Sequence, residues 1–181
     1  MPTTIFALDL ATRTGFAVGT AGSMPRSGAM ILKAKGDDQS VAFGNLIAWL
    51  NSEWSKERPD LVVFEAPLHL GGFQMTGNSE ASVMNAYGMR AVTMGLCNRF
   101  GLPFEKVYAQ TVRKHFLGRA NAGNRKDTKA AVVLRAQLLG YIPRICMDED
   151  RSDACAIWDY AAAKFGKTPT NKFYMFGERA A

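Results

Sequence analysis

Short apolar runs separated by turn signals occupy the first part of the chain. A run at 5–10 is followed by a second at 15–18, and Thr14 with Gly15 between them is typical of a hairpin turn. Apolar residues at 29–32 predict a third strand. Three successive strands with short connections predict an antiparallel meander.

Helical and strand patterns alternate along the rest of the chain. Apolar residues recur at helical spacing over 41–54, and a fully apolar run at 61–64 predicts a buried strand. The later elements are predicted as a helix from Asn78 or Ser79 to about 100, a strand at 104–108, and helices at 111–117, 127–139 and 150–165, with Asp127 or Thr128 near the start of the second of these. This order predicts an α/β fold. Its mixed five-stranded sheet combines the antiparallel meander with parallel strands, and helices flank both faces.

The 181 residues are enough for one domain, and we expect it at 1–166, followed by a tail at 167–181. No apolar run approaches the roughly 18 residues of a membrane-spanning helix, so no membrane partner is expected. The start lacks a basic region followed by a long apolar run, so no signal peptide is predicted. Three widely spaced cysteines without a CxxC pair favour reduced thiols in a cytoplasmic protein over a structural zinc site.

Positive charge is concentrated in one segment of the chain. The sequence has 22 basic and 16 acidic residues, a net charge of +6. Between 113 and 129 a single acid, Asp127, accompanies six basic residues, which are Arg113, Lys114, Arg119, Arg125, Lys126 and Lys129. Such a run is often only a solvated face. The glycines and asparagines within it favour a basic loop at 119–126 that binds the phosphates of a nucleic acid.

Acidic residues stand at positions where strand patterns disfavour them. Asp9 lies inside the first apolar run, and Glu65 directly follows the run at 61–64. Asp150 and Asp153 open the last predicted helix, and their spacing of three places them on one helical face. Each has an ordinary alternative, as a strand-end acid that pairs with a lysine or as a first-turn acid that complements the helix dipole.

Taken together, these acids indicate a metal site. Four carboxylates that converge without a basic partner repel one another unless a cation joins them. Ligand sets made only of oxygen suit Mg²⁺ or Mn²⁺. Two such ions roughly 3.5–4 Å apart support phosphodiester hydrolysis. An acidic centre beside a basic segment therefore predicts a metal-dependent nuclease.

Four segments, in order, resemble the RuvC-type Holliday junction resolvases of the RNase H-like nuclease superfamily. They are FALDLATRTGFAV, LVVFEAP, VYAQTVRKHFLGRANAGNRKDTKAAV and DRSDACA. The resemblance extends over about residues 4 to 165 and implies an RNase H-like fold. It also implies two Mg²⁺ ions per site, or Mn²⁺ in their place, bound by Asp9, Glu65, Asp150 and Asp153.

The resemblance also assigns roles to other side chains. It implies that one basic residue from each half of the basic segment assists at the scissile phosphate. These are Arg113 or Lys114 in the first half, and Lys126, with Lys129 as the alternative, in the second. The other basic residues of the segment would bind DNA. The resemblance further implies that Phe73, the aromatic residue of the glycine-rich loop at 71–77, wedges into the junction centre.

The activity that the resemblance implies is resolution of four-way DNA junctions by paired symmetric nicks that leave 5′-phosphates. A substrate with two-fold symmetry implies a homodimer with one site per subunit. We assign the helix from Asn78 to 100 to the dimer surface, with ordinary core packing as the alternative reading of its small residues. Leu10 and Ala11 stand where bacterial members usually have Pro-Gly. In this the motif is more similar to the versions carried by phages and prophages. That resemblance implies that other branched DNA is accepted as well.

Three other functions compete with this interpretation. The same acids would serve an RNase H-like nuclease acting on forks or on RNA–DNA hybrids, so only substrate tests discriminate. A non-catalytic DNA-binding module would tend to lose one of the acids, and all four are present. A sugar-kinase-like ATPase shares the opening Asp and the T-G pair, but it requires phosphate-binding glycine loops later in the chain, which the sequence lacks.

Overall fold

The computed structural model describes residues 3–67 and 80–166. Its single sheet has the strand order β3-β2-β1-β4-β5. The strands are β1 (Thr4–Asp9), β2 (Arg13–Thr20), β3 (Arg26–Ile31), β4 (Leu61–Glu65) and β5 (Phe104–Val107). The first three pair antiparallel, while β4 pairs parallel to both β1 and β5. The predicted meander with added parallel strands is confirmed.

Five helices cover the sheet within the described residues. They are α1 (Gln39–Lys56), α2 (Glu80–Phe100), α3 (Ala109–Leu117), α4 (Arg125–Leu138) and α5 (Glu149–Phe165). Side chains of α1 and α2 share one core with one face of the sheet, and those of α3, α4 and α5 share a second core with the other face. The predicted helices on both faces are therefore confirmed. No helix in these two stretches of chain has the length and apolarity needed to cross a bilayer.

Alternation along β1 and β4 divides the apolar residues between the two cores. Phe6 and Leu8 face α1 and α2, whereas Ile5 and Ala7 face α5. This period of two is the geometry of a strand buried on both sides. The next residue of β1 on the α5 side is Asp9.

The predicted turn at Thr14 and Gly15 is wrong, because both residues lie inside β2. The chain reverses at 10–12 instead, where the Thr14 hydroxyl donates to the carbonyl oxygen of Ala11 at 2.6 Å. Gly15 pairs with Asp9 across the two strands. A Cβ at Gly15 would lie 1.9 Å from the carbonyl oxygen of Asp150, so this glycine permits the close approach of α5.

The predicted basic loop is shorter than expected at its end, because α4 begins at Arg125 rather than at Asp127 or Thr128. Asn124 caps this helix, its side-chain oxygen accepting from the backbone N–H of Asp127 at 3.0 Å. Arg125 and Lys126 therefore lie in the first turn of a helix. Asn124, one of the residues on which the loop prediction rested, is therefore the N-cap of α4.

Several predictions fall outside the described residues. These are the position of Phe73, the glycine-rich loop at 71–77, the start of the long helix at Asn78 or Ser79, and the tail at 167–181.

Within α2, one face packs into the core, with Met89 and Thr93 fully buried. A Cβ at Gly88 would lie 2.3 Å from the ring of Phe43 in α1, so this small residue serves packing within the chain.

Candidate active site

Asp9 and Glu65 end adjacent parallel strands on the same face of the sheet. Leu8 of β1 pairs with Phe64 of β4, so the two acids are the next residues along both strands. The alternation that sends Leu8 and Phe64 into the α1–α2 core turns Asp9 and Glu65 toward α5. Both acids are partly buried.

The first turn of α5 lies directly over this end of the sheet. The backbone of Asp150 contacts Gly15, which pairs with Asp9. Asp148 caps the helix, its carboxylate accepting from the backbone N–H of Arg151 at 3.1 Å. Asp153, one turn further along, is partly buried beneath the helix. Two strands and one helix thus bring carboxylates from three distant segments of the sequence to the same end of the sheet.

Burial raises the pKa of three of the acids, and neighbouring acids add to the shift at two of them. Burial, followed by the charges of Asp153, Glu65 and Asp150, raises the pKa of Asp9 to about 8. Burial also raises the pKa of Asp153 to about 6, with Lys129 and Arg113 opposing the shift and Glu65 and Asp150 adding to it. The pKa of Glu65 is raised by burial against the charges of Arg90 and Arg113. A cluster of buried acids that act on one another is a mark of a functional site.

The donor set has the chemistry of a divalent cation site. All four acids supply oxygen donors, which Mg²⁺ and Mn²⁺ prefer. In residues 3–67 and 80–166, none of Asp9, Glu65 and Asp153 forms an ion pair. As they stand, the described side chains do not bring three metal-ligating groups close enough to hold an ion. Asp150 is turned toward Arg13, so its carboxylate is engaged in an ion pair.

Comparison of the sequence with protein-family models and with curated proteins found no match. Among solved structures, Thermus thermophilus RuvC matches with a TM-score of 0.63 and 16% identity over 90% of this chain and 98% of RuvC. T. thermophilus RuvC in complex with a Holliday junction substrate gives 0.66 and 16% over 91% and 98%. The yeast mitochondrial Holliday junction resolvase Ydc2 gives 0.54 and 13% over 89% and 80%. The chain has the RNase H-like fold of RuvC.

On this RuvC fold, two residues of the basic segment act on the acids. The charges that oppose the shift at Asp153 are those of Lys129 in α4 and Arg113 in α3. Lys129 is partly buried, and its Nζ donates to Glu149 at 2.7 Å. Lys126 lies one turn earlier and is exposed. Of the paired candidates, Arg113 and Lys129 are thus the ones whose charges act on Asp153, whereas Lys114 and Lys126 are exposed.

The remaining basic residues of the segment lie at the surface. Lys114 is exposed on α3, Arg119 is exposed in the loop that follows, and Arg125 is exposed at the start of α4. In the described part of the chain, none of these three forms an ion pair with an acid. These side chains are placed to meet an external anion.

Sequence reasoning missed Arg90, a buried cation behind the acids. Its Nε donates to the backbone carbonyl of Glu65 at 2.6 Å, and Nη1 donates to that of Ala86 at 2.6 Å. Burial lowers the pKa of Arg90, while Glu65 and Asp9 oppose that shift. The available signal was an arginine placed among apolar residues in the predicted helix, in the stretch YGMRAVTMG.

Sequence reasoning also passed over Arg13. It lies at the first position of β2, and its guanidinium donates to the carboxylates of both Asp148 and Asp150. Its role could not be read from the sequence because more than 130 residues separate it from its partners.

Proposed function

We propose that this chain is a metal-dependent endonuclease that cuts branched DNA, with the four-way junction as its main substrate. The observation that carries the proposal is that Glu65, Asp150 and Asp153 lie close enough to buried Asp9 for their charges to add to the effect of burial, which together raise the pKa of Asp9 to about 8. The fold supports it, since its solved neighbours include a RuvC bound to a Holliday junction substrate and a yeast mitochondrial resolvase.

The four carboxylates would hold Mg²⁺, or Mn²⁺, as two ions per site. Ions bound there would supply an activated water and positive charge for the departing 3′ oxygen. Asp9 and Glu65 lie on a rigid sheet edge, and Asp150 and Asp153 on the helix above it, so the site has firm walls on two sides. Hydrolysis would break the bond between phosphorus and the 3′ oxygen, which leaves a 3′-hydroxyl and a 5′-phosphate.

The basic residues would hold the phosphates on either side of the scissile bond. Arg113 and Lys129 act electrostatically on Asp153 and are the candidates to contact the scissile phosphate. Lys114, Arg119, Arg125 and Lys126 extend the positive surface away from the site. Phosphate contacts of this kind position the substrate without reading its sequence. Phe73 stays a candidate for the junction centre.

Resolution of a four-way junction needs two cuts related by symmetry, so we propose a homodimer with one site in each subunit. The exposed side of α2 is the candidate dimer surface, since Met84, Ala91 and Gly95 remain open to solvent on it. Nicks placed symmetrically would leave ends that a ligase can seal.

The proposal is tested with labelled DNA substrates. We expect the protein to cut a synthetic four-way junction faster than a fork or an RNA–DNA hybrid, in Mg²⁺ but not in EDTA. Asp9→Asn should abolish cutting while retaining junction binding. Equal cutting in EDTA, or full activity of Asp9→Asn, contradicts the mechanism. Preference for the hybrid supports the alternative RNase H-like nuclease, and tight binding without any cutting supports a non-catalytic module.

A further inference from the structure

Arg13 joins the sheet to the helix that carries two of the candidate metal ligands. Its Nη1 donates to Oδ1 of Asp148 at 2.8 Å, and its Nη2 donates to Oδ2 of Asp148 at 2.5 Å. Nη1 also donates to Oδ2 of Asp150. The contact with Asp148 is a two-pronged fork, the geometry in which a planar guanidinium fixes a carboxylate most firmly.

The two-pronged contact from Arg13 holds the N-cap of α5, the residue at which the helix begins. Asp148 is the N-cap, and its Oδ1 accepts both from Arg13 and from the backbone N–H of Arg151. Two residues further along β2, Gly15 contacts the backbone of Asp150. The strand therefore holds the first turn of α5 at two points, one polar and one steric.

We propose that Arg13 is a positioning residue that fixes the carboxylate of Asp150 for the metal site. The inference rests on the proposed function. Arg13 donates to Oδ2 of Asp150, so Oδ1 of the same carboxylate is left available to bind a cation. Both terminal nitrogens of the guanidinium donate to Asp148, so the position of Arg13 is itself fixed by the N-cap of the helix.

Charge and geometry make opposite predictions for this arginine. If Arg13 were only a positive charge near the acids, its removal would strengthen cation binding, because one repulsive charge would be gone. If it orients Asp150, its removal weakens binding, since partners that orient metal ligands typically contribute about 10–100-fold in affinity. The sign of the change in affinity therefore separates the two roles.

The test measures Mn²⁺ binding to the full chain without DNA, by calorimetry, and then the Mn²⁺ dependence of junction cutting. We expect Arg13→Gln to weaken Mn²⁺ binding about tenfold or more. Arg13→Lys should weaken it nearly as much, because an ammonium keeps the charge but lacks the fork. Cutting should recover toward the unmodified rate at saturating Mn²⁺, since Asp150 itself is retained.

A matched control is Arg26→Gln. Arg26 is also a strand arginine that binds a helix carboxylate, donating to Glu53 at 2.7 Å, and its side chain is 54% exposed against 43% for Arg13. It contacts none of the candidate ligands. We expect its substitution to leave Mn²⁺ affinity unchanged.

A second variant covers the case in which Arg13→Gln fails to fold. Asp148→Asn keeps a good N-cap but weakens the fork, so it should lower Mn²⁺ affinity several-fold in a folded protein. Unchanged or tighter Mn²⁺ binding in the folded Arg13 or Asp148 variants overturns the positioning role alone. An unmodified protein that binds Mn²⁺ but cuts no DNA overturns the nuclease, and the affinity comparison still decides the role of Arg13. An unmodified protein that binds no Mn²⁺ overturns both.

Discussion

The two faces of the sheet are built from the same strands but carry different side chains: aromatic rings on the α1–α2 side, and apolar residues followed by acids on the α5 side. Toward α1 and α2, the strands present Phe6 and Phe64 to a core rich in aromatic rings. Toward α5, the same strands end in Asp9 and Glu65, which lie partly buried beside two more acids. Both faces remove apolar surface from water, which is the main source of folding stability. The α5 face, in addition, gathers carboxylates at one end, and the burial of their charges opposes folding.

The contrast indicates where stability and chemistry are located in this protein. The core that the sheet shares with α1 and α2 contains none of the candidate site residues. The acidic face carries groups that repel one another, a cost that natural proteins accept at functional sites. Substitutions on the two faces should therefore have opposite consequences for stability and for metal binding.

The largest effect on stability is expected from Phe6→Ala on the aromatic face. The ring of Phe6 is 1% exposed and lies 6.1 to 6.4 Å from the rings of Phe16, Trp49 and Trp54. Its removal leaves a cavity and should lower the free energy of unfolding by about 3–5 kcal/mol. Chemical denaturation measures this loss. Metal affinity of the folded fraction should not change, and a parallel loss of affinity would show that the two faces are coupled.

A smaller loss, coupled to function, is expected from Gly15→Ala on the acidic face. The added Cβ would meet the carbonyl oxygen of Asp150 at 1.9 Å, so the first turn of α5 must move away from Asp9. We expect about 1–3 kcal/mol of destabilisation, as for other overpacked contacts, together with weaker metal binding. Gly44→Ala is the control, because nothing lies within 4 Å of a Cβ there. That helical substitution should be neutral or slightly stabilising.

In metal-free protein, Asp9→Asn should raise stability. Burial and the neighbouring acids raise the pKa of the Asp9 carboxyl from its ordinary value of 3.8 to about 8 in the folded protein. Its contribution to folding is thus fully present below pH 3.8 and is lost as pH rises to about 8. An asparagine does not ionise, so the variant keeps its stability over this pH range. The difference in free energy of unfolding between Asp9→Asn and the unmodified protein should therefore grow to about 1–3 kcal/mol, given about 1.4 kcal/mol per pKa unit and partial relaxation of the site.

Thermal melts in EDTA at several pH values measure the effect. Addition of Mg²⁺ should reverse the order of stability, because an ion that binds only the folded state stabilises the unmodified protein more. A constant difference between the two proteins from pH 4 to pH 8 would contradict the buried, coupled state of Asp9.

The smallest effect separates two lysines on α4. If each lysine contacts one phosphate, Lys126→Ala and Lys129→Ala should each weaken the salt dependence of junction binding. The negative slope of log K against log salt concentration should become less steep by about one unit in each variant. Only Lys129→Ala should also slow cutting at saturating DNA, since Lys129 acts on Asp153. Binding and single-turnover cutting at several salt concentrations measure both quantities. Slower cutting by Lys126→Ala with normal cutting by Lys129→Ala would reverse the assignment.

Much of the fold could be predicted because local patterns are strong here. Runs such as LVVFE are short, apolar and rich in β-branched residues, so they favour a strand wherever they are placed. The two strand acids stood out against the same patterns, since Asp9 lies inside an apolar run and Glu65 directly follows one. The misplaced turn had a physical cause, because the glycine of the T-G pair serves a contact with α5 and not a local turn.

The order of strands and helices followed from the sequence by itself, because alternation and helical spacing depend only on neighbouring residues. The sequence also singled out the four candidate acids, because carboxylates are rare in and beside apolar runs. Which lysine of α4 acts electrostatically on Asp153 was decided by the tertiary structure, since one helical turn separates the exposed Lys126 from the partly buried Lys129. The roles of Arg13 and Arg90 were decided there too. Their partners are distant in sequence, and only the packing of α5 and α2 on the sheet brings them within hydrogen-bonding distance.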